Sequence, residues 1–255
     1  MTTWRIRERI LQIGRRPLIA GIINVTPDSF SDGGRFLHVD RAIEHGLRLA
    51  NEGADILDIG GESTRPGSTP VSEAEEIARV LPVIQALRRE SKLPVSIDTM
   101  KPSVAVGCLE AGADIINDVS GFRDPEMIRA AVRFQAGVIV MHMQGTPATM
   151  QANPHYEDVT RDVAESLSER MNALVAAGLS KECICLDPGI GFGKTQEHNL
   201  ELLGRLGVFR RLERPVCLGV SRKGFIGAIC GRTVEQRLAG SLAVACFAAD
   251  RGEAQ

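Results

Sequence analysis

The stretch GADILDIGGESTRPGS, residues 53–68, decides how the rest of the chain is read. Gly53 closes a helical pattern over residues 39–52, because the left-handed conformation that ends a helix costs glycine little. Residues 56–60 then form a short apolar run, the kind that buries both faces in a parallel sheet. The run nevertheless carries Asp58 towards its C-terminal side and opens into a polar loop from Gly60 to Ser68. A new helical pattern covers residues 72–91, opened by Ser72 with Glu75 three residues on, the spacing of a capping box.

The same unit recurs. Short runs rich in Val and Ile at residues 18–25, 56–60, 95–98, 115–117, 138–142, 183–187 and 216–220 alternate with helical patterns at 39–52, 72–91, 102–111, 125–134, 156–177, 196–206 and 234–250. Gly112 and Gly178 sit, like Gly53, where helices end. Seven strand–helix units predict an α/β fold of the TIM (β/α)₈ barrel type, with a doubly wound open sheet as the alternative. The strand ends favour the barrel: Asn24, Asp58, Asp98, Asn117, His142, Asp187 and Ser221 are residues no core would choose, and a barrel gathers them on the rim where its active sites lie. No eighth strand is legible, since residues 251–255 are too few and too polar to cross a sheet. The expectation is one domain over residues 1–255, with residues 1–16 as an N-terminal capping segment and a gap beside the strand at 18–25. A partner chain or residues 4–13 would cover that edge.

Lys and Arg number 30 against 32 Asp and Glu, a formal charge of −2, so nothing global favours nucleic acid or an anionic membrane. No apolar run approaches the roughly 20 residues of a membrane span. The first apolar stretch is broken by Arg5, Arg7, Glu8 and Arg9, unlike a signal peptide. A soluble cytoplasmic protein is expected. The six cysteines lack the paired spacing of a zinc site and read as buried reduced thiols.

Positive charge must then be local, in a pocket. The loop NVTPDSFSDGG, residues 24–34, is long and polar; it reads as turns or as a lid over a reactive intermediate. In the second loop Thr64 and Arg65 suit an anionic oxygen, unless the arginine is merely solvated. Asp98, Asn117 and Asp187 converge if the barrel is right, and unpaired carboxylates there would raise each other's pKa. The adjacent N–H donors of a pterin ring would match them; a metal ion, or plain structural hydrogen bonding, are the other readings. DPGIGFGKT, residues 187–195, lacks the spacer of a nucleotide-binding loop; Gly189, Gly191 and Gly193 let backbone approach a flat ligand, with Phe192 as a stacking face. In SRKGFIG, residues 221–227, Lys223 could hold a ring carbonyl or nitrogen and the amides from Gly224 onward a carboxylate, with solvated basic residues as the bland alternative.

Taken together, NVTPDSFSDGG, GADILDIGGESTRPGS, SIDT, INDVSGF, VMHM, LDPGIGFGK and SRKGFIG, in that order over residues 17–250, closely resemble the dihydropteroate synthase family. The resemblance implies the barrel fold, a cytoplasmic homodimer requiring Mg²⁺, and condensation of a dihydropterin diphosphate with p-aminobenzoate. It implies that Asp98, Asn117, Asp187 and Lys223 bind the pterin beside Met141, Gly191 and the Ser221–Arg222 pair. Asn24 matches the Mg²⁺-associated asparagine, and Thr64 a diphosphate contact with Asp58 nearby. Phe30, Asp32, Arg65 and Pro66 match the mobile loops that close over p-aminobenzoate, and Phe192 a wall of that site; Phe30, Asp32 and Lys223 are the expected catalytic residues.

Two departures accompany the match. Gly224 stands where many relatives carry a serine that meets the p-aminobenzoate carboxylate, and no Arg-x-His pair of an eighth strand is legible. A pterin-binding methyltransferase linked to a corrinoid and a non-catalytic pterin-binding module are the rival readings. The loop at 24–34 and the Ser221–Lys223 segment favour the synthase.

Overall fold

A computed structural model describes residues 2–14, 16–26, 35–64 and 68–250, with the side chains of residues 35–37 excepted. Two strands, β1 (Thr2–Ile6) and β2 (Arg9–Ile13), pair antiparallel as a hairpin that turns at Arg7, whose φ is 57°. Then come β3 (Ala20–Asn24), α1 (Arg35–Asn51), β4 (Ile56–Gly60), α2 (Glu73–Glu90), β5 (Val95–Asp98) and α3 (Pro102–Glu110). The alternation continues with β6 (Ile115–Asp118), α4 (Pro125–Phe134), β7 (Gly137–Met141), α5 (Val159–Ala176) and β8 (Ile184–Asp187). Three helices follow: α6 (Gln196–Gly204), α7 (Gly224–Cys230) and α8 (Leu238–Asp250). Strands β3 to β8 form one parallel sheet in sequence order, each neighbour reached over a helix, as the strand–helix reading anticipates.

Helix boundaries follow their caps. Ser72 accepts from the Glu75 amide, Asp124 from Glu126 and Asp158 from Arg161, satisfying amides that have no partner inside the helix. Gly53, Gly112 and Gly178 all have positive φ, at 101°, 107° and 105°.

Strands β4 to β8 are buried on both faces with a two-residue alternation of core and interior, whereas β3 buries Gly21 and Ile23 and leaves Ala20, Ile22 and Asn24 exposed. One phase, including Leu57, Ile59, Val95, Ile97, Ile116, Val138, Val140, Ile184 and Leu186, packs into the large core shared with the helices. The opposite phase lines the barrel interior in layers. At the N-terminal end Ile56, Ile115, Ile139 and Cys185 meet Trp4, Ile6 and Ile13 of the hairpin. Two residues further along each strand the same phase presents Asp58, Asn117, Met141 and Asp187. The hairpin thus closes the lower mouth of the barrel. The Trp4 indole donates to the Cys183 carbonyl at 2.8 Å, Arg214 donates to the Thr3 carbonyl, and Gly137 leaves the room that Ile6 occupies.

Several expectations change. The run at residues 216–220 is not a strand: Val216 makes one parallel bridge to Leu186, the next donor of that ladder would be Pro188, which has no N–H, and the ladder stops. Among the described residues nothing pairs with the outer edge of β3, where Ile22 is 47% exposed. The described sheet is therefore open between β3 and the Val216 segment. The hairpin is an addition; its signal is the strict alternation of Trp4, Arg5 and Ile6. Of the six thiols, Cys230 and Cys246 are exposed rather than buried. The last helical pattern splits into a single tight turn at Val234–Gln236 and then α8, and α7 follows Lys223 directly.

Candidate active site

The C-terminal rim gathers its polar residues because register and phase agree. Gly60, Asp98 and Asn117 are paired in adjacent strands, and Met141 is paired with Asp187. Asn24 ends β3 opposite Gly60, and a side chain at Gly60 would come within 3.7 Å of the Asp98 Oδ2 and 3.9 Å of the Asn24 Oδ1. The absence of one keeps the space between them open. Asp58 lies on β4 two residues before the second loop begins at Gly60, and it accepts from the Asn117 amide at 3.2 Å.

The electrostatics of this wall are set by burial. Asp58, Asp98 and Asp187 are all raised above the ordinary carboxylate range, each chiefly by loss of water. Asp98 is raised furthest, because Asp58, Asp118, Glu76 and Glu62 add their charges to that loss. Asp187 has relief: the Gly189 amide donates to it at 2.7 Å, and Lys223 and Lys194 lie close enough to favour its charge. Lys223 is lowered by burial and held up by Asp187 and Asp98. Among the described residues neither Lys223 nor Asp98 closes an ion pair within 4 Å. Both side chains are half-buried.

The loop after β8 supplies a flat wall. Lys223 Nζ stands 4.3 Å from the centre of the Phe192 ring, and Phe192 packs with Met141, Met143, Met150, Val119 and Met100. Gly191 sits at φ 83°, a conformation that favours glycine, and a Cβ there would also crowd the Lys223 chain at 3.1 Å. Its amide donates to Asn199 and its carbonyl accepts from Gln151, while Tyr156 donates to the Gly193 carbonyl. Lys194 reaches back to the Phe192 carbonyl at 3.0 Å. These braces, and the buried Asp118 that caps the Ser120 and Phe122 amides, escape a reading of the loop as glycine-rich.

The second loop is anchored at its base. Arg79 donates to the Gly61 carbonyl, Glu62 accepts from Val71, and Lys101 bridges Glu62 and Glu76. Thr64 is half-buried at the end of this anchored stretch. Arg65, Pro66, Phe30 and Asp32 lie outside the described residues. Ser221 and Arg222 are exposed; the contacts recorded for Arg222 belong to its backbone, which turns at φ 51° with its amide on Ser241 Oγ and its carbonyl on Arg237. A separate cavity of about 340 Å³ between α1 and α2 includes Val25, His38, Glu75 and Arg79. Its Arg79 and Glu75 pair with each other, so it offers no unpaired charge comparable to Lys223.

Comparison with known proteins agrees with this geometry. A family described as pterin binding enzyme matches residues 20–254. The dihydropteroate synthase of Haemophilus influenzae is 45% identical over 236 residues, covering 92% of this chain and 86% of that protein. The Xanthomonas albilineans dihydropteroate synthase with 4-aminobenzoic acid superposes with a TM-score of 0.91 at 48% identity, covering 98% of this chain and 89% of that one. The same enzyme in complex with 7,8-dihydropteroate gives a TM-score of 0.88 at 45% identity and the same coverage. The fold and these relatives agree: the chain belongs to the dihydropteroate synthase family of pterin-binding enzymes.

Proposed function

We propose that this protein is a dihydropteroate synthase, joining 6-hydroxymethyl-7,8-dihydropterin diphosphate to p-aminobenzoate with release of diphosphate. The observation that carries the reading is the single wall formed by Asp98, Asn117, Asp187 and Lys223, two acceptors and two donors facing a slot lined by Met141 and Phe192. Asp98 and Asp187 accept the ring's N–H groups, Asn117 and Lys223 donate to its carbonyl and nitrogen, and Phe192 covers one face.

The reaction then needs no nucleophilic side chain. The bond between the pterin methylene carbon and the diphosphate oxygen breaks, and its electron pair leaves with the diphosphate. The resulting cation is delocalised over the ring. Asp98 and Asp187 are raised chiefly by burial, with neighbouring carboxylates adding to the shift of Asp98 alone; a positive charge on the ring stabilises both carboxylates, so they favour the ionised state over the ground state. The p-aminobenzoate nitrogen supplies the electron pair of the new C–N bond, and its surplus proton passes to diphosphate or water. Phe30, Asp32, Arg65 and Pro66, which lie outside the described residues, carry over from the family resemblance as the groups that would exclude the water that otherwise traps the cation.

Asn24 fits a magnesium ion: it offers one hard amide oxygen at the pocket edge, and a diphosphate and water would complete an oxygen shell. When bound there, the ion neutralises charge on the departing diphosphate, beside the Thr64 hydroxyl. We also propose a cytoplasmic homodimer. No described helix is long and apolar enough to cross a membrane, and α8 presents Leu238 and Leu242, each more than half exposed, as a face a second copy would cover. Sedimentation of the purified protein reads the oligomeric state. Diphosphate release that requires both substrates tests the activity; release without p-aminobenzoate would indicate hydrolysis instead.

A further inference from the structure

Lys194 is the one buried ammonium that the proposed chemistry leaves unused. It follows the glycine-rich loop, is 3% exposed, and has no carboxylate within 4 Å among the described residues. Its Nζ is held by neutral groups alone: the Phe192 carbonyl at 3.0 Å, the His142 carbonyl at 3.4 Å and the His142 Nδ1 at 3.0 Å. Burial pushes His142 down to about 3, so the imidazole is neutral and its Nδ1 accepts the lysine proton. A buried cation in such a setting is unfavourable for folding, and its geometry indicates what it maintains. Met141 and Phe192 are opposing parts of one apolar lining, and Lys194 clamps the residue after the first to the carbonyl of the second. The neighbouring loop carbonyls, of Gly191 and Gly193, have their own side-chain donors in Gln151 and Tyr156. The Phe192 carbonyl has Lys194.

We propose that Lys194 is a positioning residue, fixing the Phe192 shelf against the end of β7 so that Lys223 and Asp187 keep their spacing around the pterin ring. The inference rests on the synthase reading for its substrate. Lys194 touches neither substrate and moves no proton in the reaction. Its own acidity supplies a signature: burial pushes it down to about 7, with Asp187 opposing that shift and Lys223 adding to it. The other titratable groups facing the clamp are His142, held neutral, Arg123, which acts on His142 from the loop after β6, and Tyr156, pushed up to about 12. The clamp is therefore strongest below neutrality and loosens as Lys194 sheds its proton.

The test compares the wild type with Lys194→Met, which keeps the volume, and Lys194→Gln, which keeps N–H donors without charge. Pterin diphosphate affinity is read by calorimetry and by KM, kcat is read at saturation, and the thermal midpoint is the folding control. The expected result is a KM and Kd raised about tenfold in Lys194→Met with kcat changed less than about threefold, and Lys194→Gln between the two. Affinity of the wild type should fall between about pH 6 and about pH 8.5 by a step that Lys194→Met lacks. Unchanged KM in both variants would overturn the proposal. So would a fall in kcat alone that tracks the folded fraction, or the same pH step in Lys194→Met, which would assign the titration to Lys223. Calorimetry with the pterin substrate alone keeps this result separate from the synthase reading, because it needs no turnover.

Discussion

Asn117 donates its side-chain amide to Asp58 at 3.2 Å, joining two strands that are not neighbours across the inside of the barrel. Burial raises the Asp58 carboxyl, and Ser96 and Asn117 are the neighbours that oppose that shift, Asn117 through this bond. Asn117→Ala should therefore lower stability by about 1–3 kcal/mol, the usual cost of leaving a buried polar group unsatisfied. It should also weaken pterin binding, and chemical denaturation beside calorimetry reads both. Loss of affinity with full stability would mean that Asn117 serves the ligand alone.

Asp98 is raised in the folded protein by burial and by four neighbouring carboxylates. The native state thus holds a proton that the unfolded chain releases, and the contribution of Asp98 to stability is greatest below the ordinary carboxylate range. It declines as pH rises through the raised value. Asp98→Asn removes that decline. The ligand-free variant should melt at a higher temperature than the wild type near about pH 8, with the difference shrinking towards about pH 4, while turnover collapses. A variant less stable at both ends would show that Asp98 is a structural partner instead.

In the proposed reading Lys223 and Asp187 hold the same pterin ring, and each favours the other's charge. Lys223→Ala or Asp187→Ala removes a charge-assisted hydrogen bond worth about 1.5–3 kcal/mol, or about ten- to a hundredfold in pterin affinity. The pair should also be non-additive, since each holds the other's charge. Calorimetric titration of both single variants and the double variant checks this. Unaltered affinity in both single variants would move the pterin elsewhere.

The hairpin closes the opposite end of the barrel and should separate stability from chemistry. Trp4 is 3% exposed and its indole bonds Cys183. Trp4→Ala should cost about 3–5 kcal/mol while leaving the pterin KM of the folded enzyme near that of the wild type. A large change in KM at temperatures well below the midpoint would tie the lower mouth to the site.

Much of this site is legible in the sequence because a parallel strand is apolar throughout, so Asp98, Asn117 and Asp187 at strand ends stand out against their runs. The alternation that turns those residues inward is not legible, because both faces of each strand are apolar. The bond from Asn117 to Asp58 across the barrel therefore shows only in the structure. The hairpin reads in the sequence only as a capping segment: Trp4, Arg5 and Ile6 alternate, but Ile10 puts an apolar side chain on the exposed face of β2 and breaks the period there. Residues 216–220 have the composition of a strand, but a strand is a pairing, and beyond Val216 the described structure gives none. Lys194 hides within GFGKT, where nothing local distinguishes an ammonium turned inward from one in water. Its partners, His142 and Phe192, become visible only in three dimensions.

The most direct measurement is a crystal structure of this protein with 7,8-dihydropteroate. The account expects the pterin ring between Met141 and Phe192, with its N–H edge on Asp98 and Asp187, its carbonyl side towards Asn117 and Lys223, and the aminobenzoate pointing to the loops that carry Phe30 and Arg65. A pterin ring seated in the cavity between α1 and α2, or one in the barrel mouth that touches none of those four side chains, would contradict it.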